Sequence, residues 1–187
     1  AEPPERSQGY LVHQNIHWSA CTDMCLDVSQ GRIDNGNRIQ VWKCYPEEQD
    51  QQFSIATEGY GPVRWTKHPE KCVRITQDLL AVELWDCDEA DEMQAFTLTT
   101  GDDLGQIKWQ KDPSKCLEIA GGKDLDGTEV KIGQCHDKAI NQHWFAQEPE
   151  EPLHDDGCDV HALAAMGRAH VPVLSPPDCQ AKCVVPA

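Results

Sequence analysis

Five residues within one short stretch carry the chemistry of this chain: Asp27, Gln40, Trp42, Asp50 and Gln51. A carboxylate accepts paired hydrogen bonds, side-chain amides both donate and accept, and an indole offers a flat apolar plate. Together these groups suit a pyranose, whose apolar face stacks on the plate while vicinal hydroxyls meet the carboxylate and amides. Such a set binds rather than reacts. Gly-x-Ser-x-Gly, His-Glu-x-x-His and phosphate-loop patterns are all missing from the sequence. With 32 acidic residues, a chance pair of carboxylates at glycosidase spacing carries no weight. No catalytic residue, cofactor or metal is expected, and the chain is read as not an enzyme.

Strands must position these groups. Around Asp27 the sequence alternates with period two, so Leu26 and Val28 face one way while Cys25 and Asp27 face the other. Asp34-Asn-Gly-Asn37 is a strong hairpin turn signal. Beyond it Ile39 and Val41 point inward, and Gln40, Trp42 and Cys44 point outward. Asp27, Gln40 and Trp42 therefore share one face of a hairpin, and Asp50 and Gln51 arrive from the segment leading into the next strand.

The pattern recurs. Cys25, Cys72 and Cys116 stand 47 and 44 residues apart, each with a tryptophan seven residues upstream: Trp18, Trp65 and Trp109. Each copy ends in Gln-x-aromatic, at Gln51/Phe53, Gln94/Phe96 and Gln142/Trp144. A period of this size marks a repeat architecture. Four short strands per copy, three times over, predict a twelve-strand barrel and cap, the β-trefoil. Cys25–Cys44, Cys72–Cys87 and Cys116–Cys135 are expected as intra-repeat disulfides worth about 3 kcal/mol each in the chain-entropy account. The three terminal aromatics and the three tryptophans are read as core, and the glutamines as partners of nearby backbone groups.

The later repeats keep less of the set. The second has Trp85, but Arg74 replaces the aspartate and Glu83 the amide, so those two are expected to pair across the surface. The third has Glu118, Asn141 and Gln142, with Lys131 and Gly133 where the amide and the plate would stand.

A net charge of −16 with scattered Lys and Arg argues against nucleic acid or an anionic bilayer, and no apolar run approaches membrane length. Ten cysteines point to an oxidising compartment. Ala1-Glu-Pro-Pro is read as a mature end after signal-peptide removal, so the expected location is secreted or extracellular. Residues 1–8 form a lead, 9–147 the trefoil (repeats about 9–56, 57–100 and 101–147), and 148–157 an acidic, proline-bearing linker. Residues 158–187 form a cysteine-containing tail, making the whole an all-β fold with a short disulfide-tied extension. Cys21, Cys158, Cys179 and Cys183 pair among themselves in one of three connectivities, which the sequence does not choose between.

The stretch Cys-Leu-Asp-Val…Asp-Asn-Gly-Asn-x-Ile-Gln-Val-Trp-x-Cys…Asp-Gln-Gln-Phe closely resembles the ricin B-type lectin family, over roughly residues 9–147. The resemblance implies a galactose- or N-acetylgalactosamine-binding lectin, with Asp27 as key hydroxyl acceptor, Trp42 as stacking ring, and Gln40, Asp50 and Gln51 fixing orientation. Asp50 stands where the family usually has asparagine, and it cannot donate the amide hydrogen bond. Phe53 replaces a commoner tryptophan. The tail weakly resembles the opening of PAN/apple modules, at less than half their length. The expected partners are galactose-type glycans or glycoproteins. The alternative is a structural or interaction subunit of an extracellular assembly with a vestigial sugar site.

Overall fold

A computed structural model of the chain describes residues 9–57, 59–97 and 103–149, except for the side chains of residues 103 and 104. The lead at 1–8 and the tail, with Cys158, Cys179 and Cys183, lie outside the described residues.

The first repeat contains β1 (Tyr10–Trp18), β2 (Cys21–Val28), β3 (Asn37–Lys43) and β4 (Gln52–Ala56). The second contains β5 (Tyr60–Gly61), β6 (Arg64–Trp65), β7 (Lys71–Ile75), β8 (Val82–Asp86) and β9 (Phe96–Thr97). The third contains β10 (Asp103–Gln106), β11 (Lys108–Trp109), β12 (Lys115–Ile119), β13 (Thr128–Gln134) and β14 (His143–Gln147). Fourteen strands appear instead of twelve because the opening strand of the second and third repeats is interrupted. Pro62, which has no N–H to give to a ladder, separates β5 from β6. Gly105, at φ 55°, and a register shift beside it bend β10 just before β11.

Strands β1, β4, β5, β6, β9, β10, β11 and β14 pair with one another as the barrel. Hairpins β2–β3, β7–β8 and β12–β13 form the cap. There β3 pairs with both β8 and β13, and a bridge joins Ala81 to Lys131. The inward side chains of the hairpins, including Leu26, Val28, Ile39 and Val41, are buried together with Phe53, Phe96 and Trp144. Burying side chains of this size contributes about 1.5–3 kcal/mol each, which offsets the ordering of many short strands.

The equal register of the three upstream tryptophans has a shared cause. Trp18 Nε1 donates to Ile140 O at 2.7 Å, Trp65 Nε1 to Gln49 O at 2.9 Å, and Trp109 Nε1 to Glu92 O at 2.8 Å. Each acceptor is the first residue of the short 3-10 turn of a neighbouring repeat, so the indoles lock one repeat to the next. The glutamines behave just as uniformly. Gln51, Gln94 and Gln142 accept from the backbone N–H of Tyr45, Asp88 and His136, and donate to the carbonyls of Lys43, Asp86 and Gln134. All three are buried, where an unpartnered amide would be costly.

The three intra-repeat disulfides are present, with Cα–Cα distances of 5.1, 5.0 and 5.1 Å. Cys21 is disulfide-bonded as well. Its expected partners lie outside the described residues.

Gly31 meets a steric demand that only glycine satisfies. Its φ is +57°, and a Cβ there would collide with the Asp50 carboxylate, whose Cγ would lie 2.8 Å away. Gly31→Ala is expected to cost about 1–3 kcal/mol, read as a lower urea midpoint at unchanged m-value. An unchanged midpoint would show that Asp50 swings aside freely.

Candidate functional site

Adjacent strands β2 and β3 place Asp27 directly opposite Gln40, and Cys25 opposite Trp42. The 3-10 turn Gln49–Gln51 brings Asp50 and Gln51 alongside. These residues line a cleft of about 340 Å³. The expected five residues thus converge on one place, but they are not equivalent.

Asp27 forms the floor. It is only 7% exposed although it lies on the outward face of β2. Its Oδ1 accepts from Gln40 Nε2 at 2.8 Å and its Oδ2 from Gln51 Nε2 at 3.3 Å. Burial pushes its carboxyl up from the ordinary 3.8 to about 6; the hydrogen bonds from Gln40 and Gln51 work against that rise, and the charges of Asp50 and Glu48 add to it. Among the described residues no cation pairs with it. The remaining lone pairs of a buried carboxylate would therefore find partners in a ligand's hydroxyls.

Gln40 is held at both ends, giving Nε2 to Asp27 and accepting from Arg38 Nη2 through Oε1 at 3.1 Å. Gln51 is buried and fully engaged by Tyr45, Lys43 and Asp27, so it acts by holding Asp27. Asp50 is turned away from the donor role. Its Oδ1 accepts from Lys67 Nζ at 3.0 Å, and its carboxylate packs against Gly31. Trp42 is 37% exposed and Tyr45 49%, so two aromatic rings edge the cleft.

Tyr45, Gln30, Arg38 and Glu48 also line the cleft and were not singled out from the sequence. Only Arg38 left a readable signal: it shares the outward parity of Gln40 and Trp42 on β3. A further wall comes from the third repeat, whose turn before β13 reaches over the site. Asp126 accepts from the Lys43 backbone N–H at 2.8 Å, and a methyl built on Gly127 would stand 3.6 Å from Trp42 Cζ3. Gly127, at φ +82°, leaves the edge of that ring uncovered.

The equivalent place in the second repeat is filled by the chain itself. Arg74 gives Nη1 to Glu83 at 2.8 Å and Nε to Asp91 at 2.8 Å, with its guanidinium carbon 4.8 Å from the Trp85 ring centre. The expected Arg74–Glu83 pair is therefore present, and it covers the ring that a sugar would need. In the third repeat Gln142 Nε2 donates to Glu118 at 3.0 Å, but Gly133 supplies no ring, and the Glu118 carboxylate lies against it.

His17 with Cys25 and Cys44 has the spacing of a metal cluster, yet the two sulfurs are bonded to each other. His17 instead stacks on Phe145, with ring centres 4.7 Å apart.

The barrel, the hairpin cap and a polar cleft edged by aromatic rings define a lectin-type trefoil. The family model of the ricin-type beta-trefoil lectin domain matches residues 59–159, and the chain belongs to that family. The match covers the second and third repeats, whereas the fuller set of site residues lies in the first. No curated protein matches the chain. The chain is similar to the C-half of the earthworm R-type lectin, solved in complex with GalNAc, at 16% identity and a TM-score of 0.59 over 72% of this chain and 96% of that one. It is similar to the designed threefold-symmetric protein ThreeFoil at 16% identity and a TM-score of 0.62 over 73% and 96%. It also resembles GalNAc-T7, solved with UDP, GalNAc and Mn2+, at 17% identity and a TM-score of 0.57 over 72% of this chain but only 22% of that one. At these identities the likenesses show the fold. Among the described residues no helix is long and apolar enough to cross a membrane.

Proposed function

We propose that this chain is a non-enzymatic, secreted lectin module that holds a terminal galactose or N-acetylgalactosamine residue in the first-repeat cleft. The observation that carries this reading is the buried carboxylate of Asp27, without a cation partner among the described residues, in one cleft with the exposed Trp42. A floor built to bond hydroxyls rejects ligands lacking them, because its polar groups would then go unpaired. Asp27 accepts from two vicinal hydroxyls, Trp42 stacks on the apolar face of the ring, and Gln40 and Gln51 hold the carboxylate in place. The Cys25–Cys44 bridge ties the two strands beside the cleft and preorganises it. The trefoil spans residues 9–147 and the acidic linker begins at 148. The GalNAc bound by the earthworm lectin half supports the sugar class.

One shallow site binds weakly, with a dissociation constant of about 0.1–1 mM, so useful retention needs several copies on a multivalent surface. Glycan-array binding by the oxidised chain is expected to favour terminal galactose-type structures. Trp42→Ala is expected to weaken that binding about tenfold with the fold intact. Silence of the correctly folded chain at high multivalency would move the assignment to the interaction subunit.

A further inference from the structure

Arg38 is the basic residue lining the first-repeat cleft, in a chain of net charge −16. Its neighbours make its position unusual. On β3 it stands opposite Glu83 of β8, the nearest cross-strand carboxylate by register. That carboxylate is already bound to Arg74 at 2.8 Å. Of the acids lining the cleft, Asp50 pairs with Lys67 at 3.0 Å, Asp27 on the floor is bonded by Gln40 and Gln51, and Glu48 accepts from the Asp50 N–H at 3.4 Å. Among the described residues Arg38 forms no ion pair. Its hydrogen bond goes to the neutral Oε1 of Gln40 at 3.1 Å.

A guanidinium carries five N–H donors in a rigid planar fork that matches an oxyanion. One donor of Arg38 is used, on the amide that itself orients Asp27, so the fork is anchored to the sugar floor through Gln40. Its location is also set from the far side. A methyl built on Gly127 would stand 4.0 Å from Arg38 Nη2 and 3.6 Å from Trp42 Cζ3. Arg38 Nη2 and the edge of the Trp42 ring therefore both face Gly127 of the third-repeat turn, while Glu48 and Asp50 approach from the turn Gln49–Gln51 and its cap. The cleft has an acidic rim and a basic rim.

We infer that the first-repeat site takes a galactose-type residue bearing an anionic substituent, a sulfate or a carboxylate, which Arg38 receives beside the Trp42 plate. This deepens the lectin reading and rests on it. Asp27 and Trp42 would hold the ring while Arg38 reads what is attached to it. The shared chemistry is a planar or tetrahedral oxyanion, and the sugar supplying it can be sulfated or carboxylated.

The test is titration of the oxidised chain with galactose, galactose 3-sulfate, galactose 6-sulfate and galacturonate, followed through the Trp42 indole N–H resonance and calorimetry. At low salt at least one anionic sugar is expected to bind about three- to tenfold more tightly than galactose. The advantage should shrink as ionic strength rises. The sulfates and the carboxylate separate the two sources. Arg38→Gln is expected to bring the anionic-to-neutral affinity ratio to about one, and Arg38→Lys to restore part of it. Neutral galactose binding as well as or better than every anionic sugar would overturn the inference and leave the lectin reading standing. A preference that survives Arg38→Gln would overturn it too. If no sugar of either kind perturbs Trp42, both readings fall together.

Discussion

Asp27→Ala is expected to weaken galactoside binding by at least about a hundredfold while the trefoil stays folded. A hydrogen bond to a charged group is worth about 1.5–3 kcal/mol, and this carboxylate would make two to the sugar. From a starting affinity of about 0.1–1 mM, such a loss removes measurable monovalent binding. The fold tolerates the change because the neighbours keep other partners. Gln51 retains the Lys43 carbonyl and the Tyr45 N–H, and Gln40 retains Arg38. Removing a buried ion also relieves its desolvation. Calorimetric titration and thermal melting should therefore separate, with binding lost and melting little changed. Equal galactoside binding by the variant and the wild type would sink the site assignment. A variant that fails to fold would show that Asp27 is structural first.

Acidification supplies the second large effect, and it acts on binding and stability in opposite directions. The site needs the ionised carboxylate, whose folded pKa lies at about 6. Apparent affinity should fall as pH drops through that value and should be about a hundredfold lower at pH 4 if only the ionised form binds. Stability runs the other way. Because burial raises this pKa above the ordinary 3.8, folding favours the protonated form. The favourable contribution is fully present below 3.8 and is lost as pH rises through about 6. At about 1.4 kcal/mol per pH unit, the gap between those values sets a ceiling of about 3 kcal/mol. Asp86 and Asp112 respond in the opposite sense at lower pH. Hydrogen bonds, chiefly from Lys71 and then Asn35 to Asp86 and from Ser114 to Asp112, hold these carboxyls below their usual range, so the stability they add is lost under stronger acid. The chain should thus gain stability between neutrality and about pH 5, then lose it below pH 4. Melting curves across pH for the wild type and Asp27→Ala would check this, since only the wild type should show the upper rise. A galactoside affinity flat from pH 7 to pH 4 would exclude an ionised Asp27 as the acceptor.

Much of this molecule is legible in its sequence. Period-two alternation placed Leu26, Val28, Ile39 and Val41 in the core and sent Asp27, Gln40 and Trp42 to one face, because facing within a hairpin is local. The three bridges Cys25–Cys44, Cys72–Cys87 and Cys116–Cys135 follow from the same repeat register, since each pair falls on the neighbouring strands of its own hairpin. The Arg74–Glu83 pair was readable for that reason too.

Other features depended on elements distant in sequence. Parity marks Asp27 as outward, but only the packing of the folded site buries the position and so raises its pKa, against the hydrogen bonds from Gln40 and Gln51. Asp50 reads as a ligand-orienting residue until Lys67, from the second repeat, is found on it. Tyr45 lies in an irregular segment with no periodicity to place it.

What the sequence determined by itself is the threefold β architecture, its disulfide staples and the hairpin face that carries the site, because each arises from spacing within a single repeat. What only the tertiary structure decided is how completely the second position is filled and what walls the first. Arg74 also reaches Asp91 and lies over the Trp85 ring, Lys67 ties down Asp50, and the Gly127 turn meets Arg38 and Trp42 at the first site only when the barrel closes. Closure joins repeats end to end, and no period within one repeat encodes the contacts made between them.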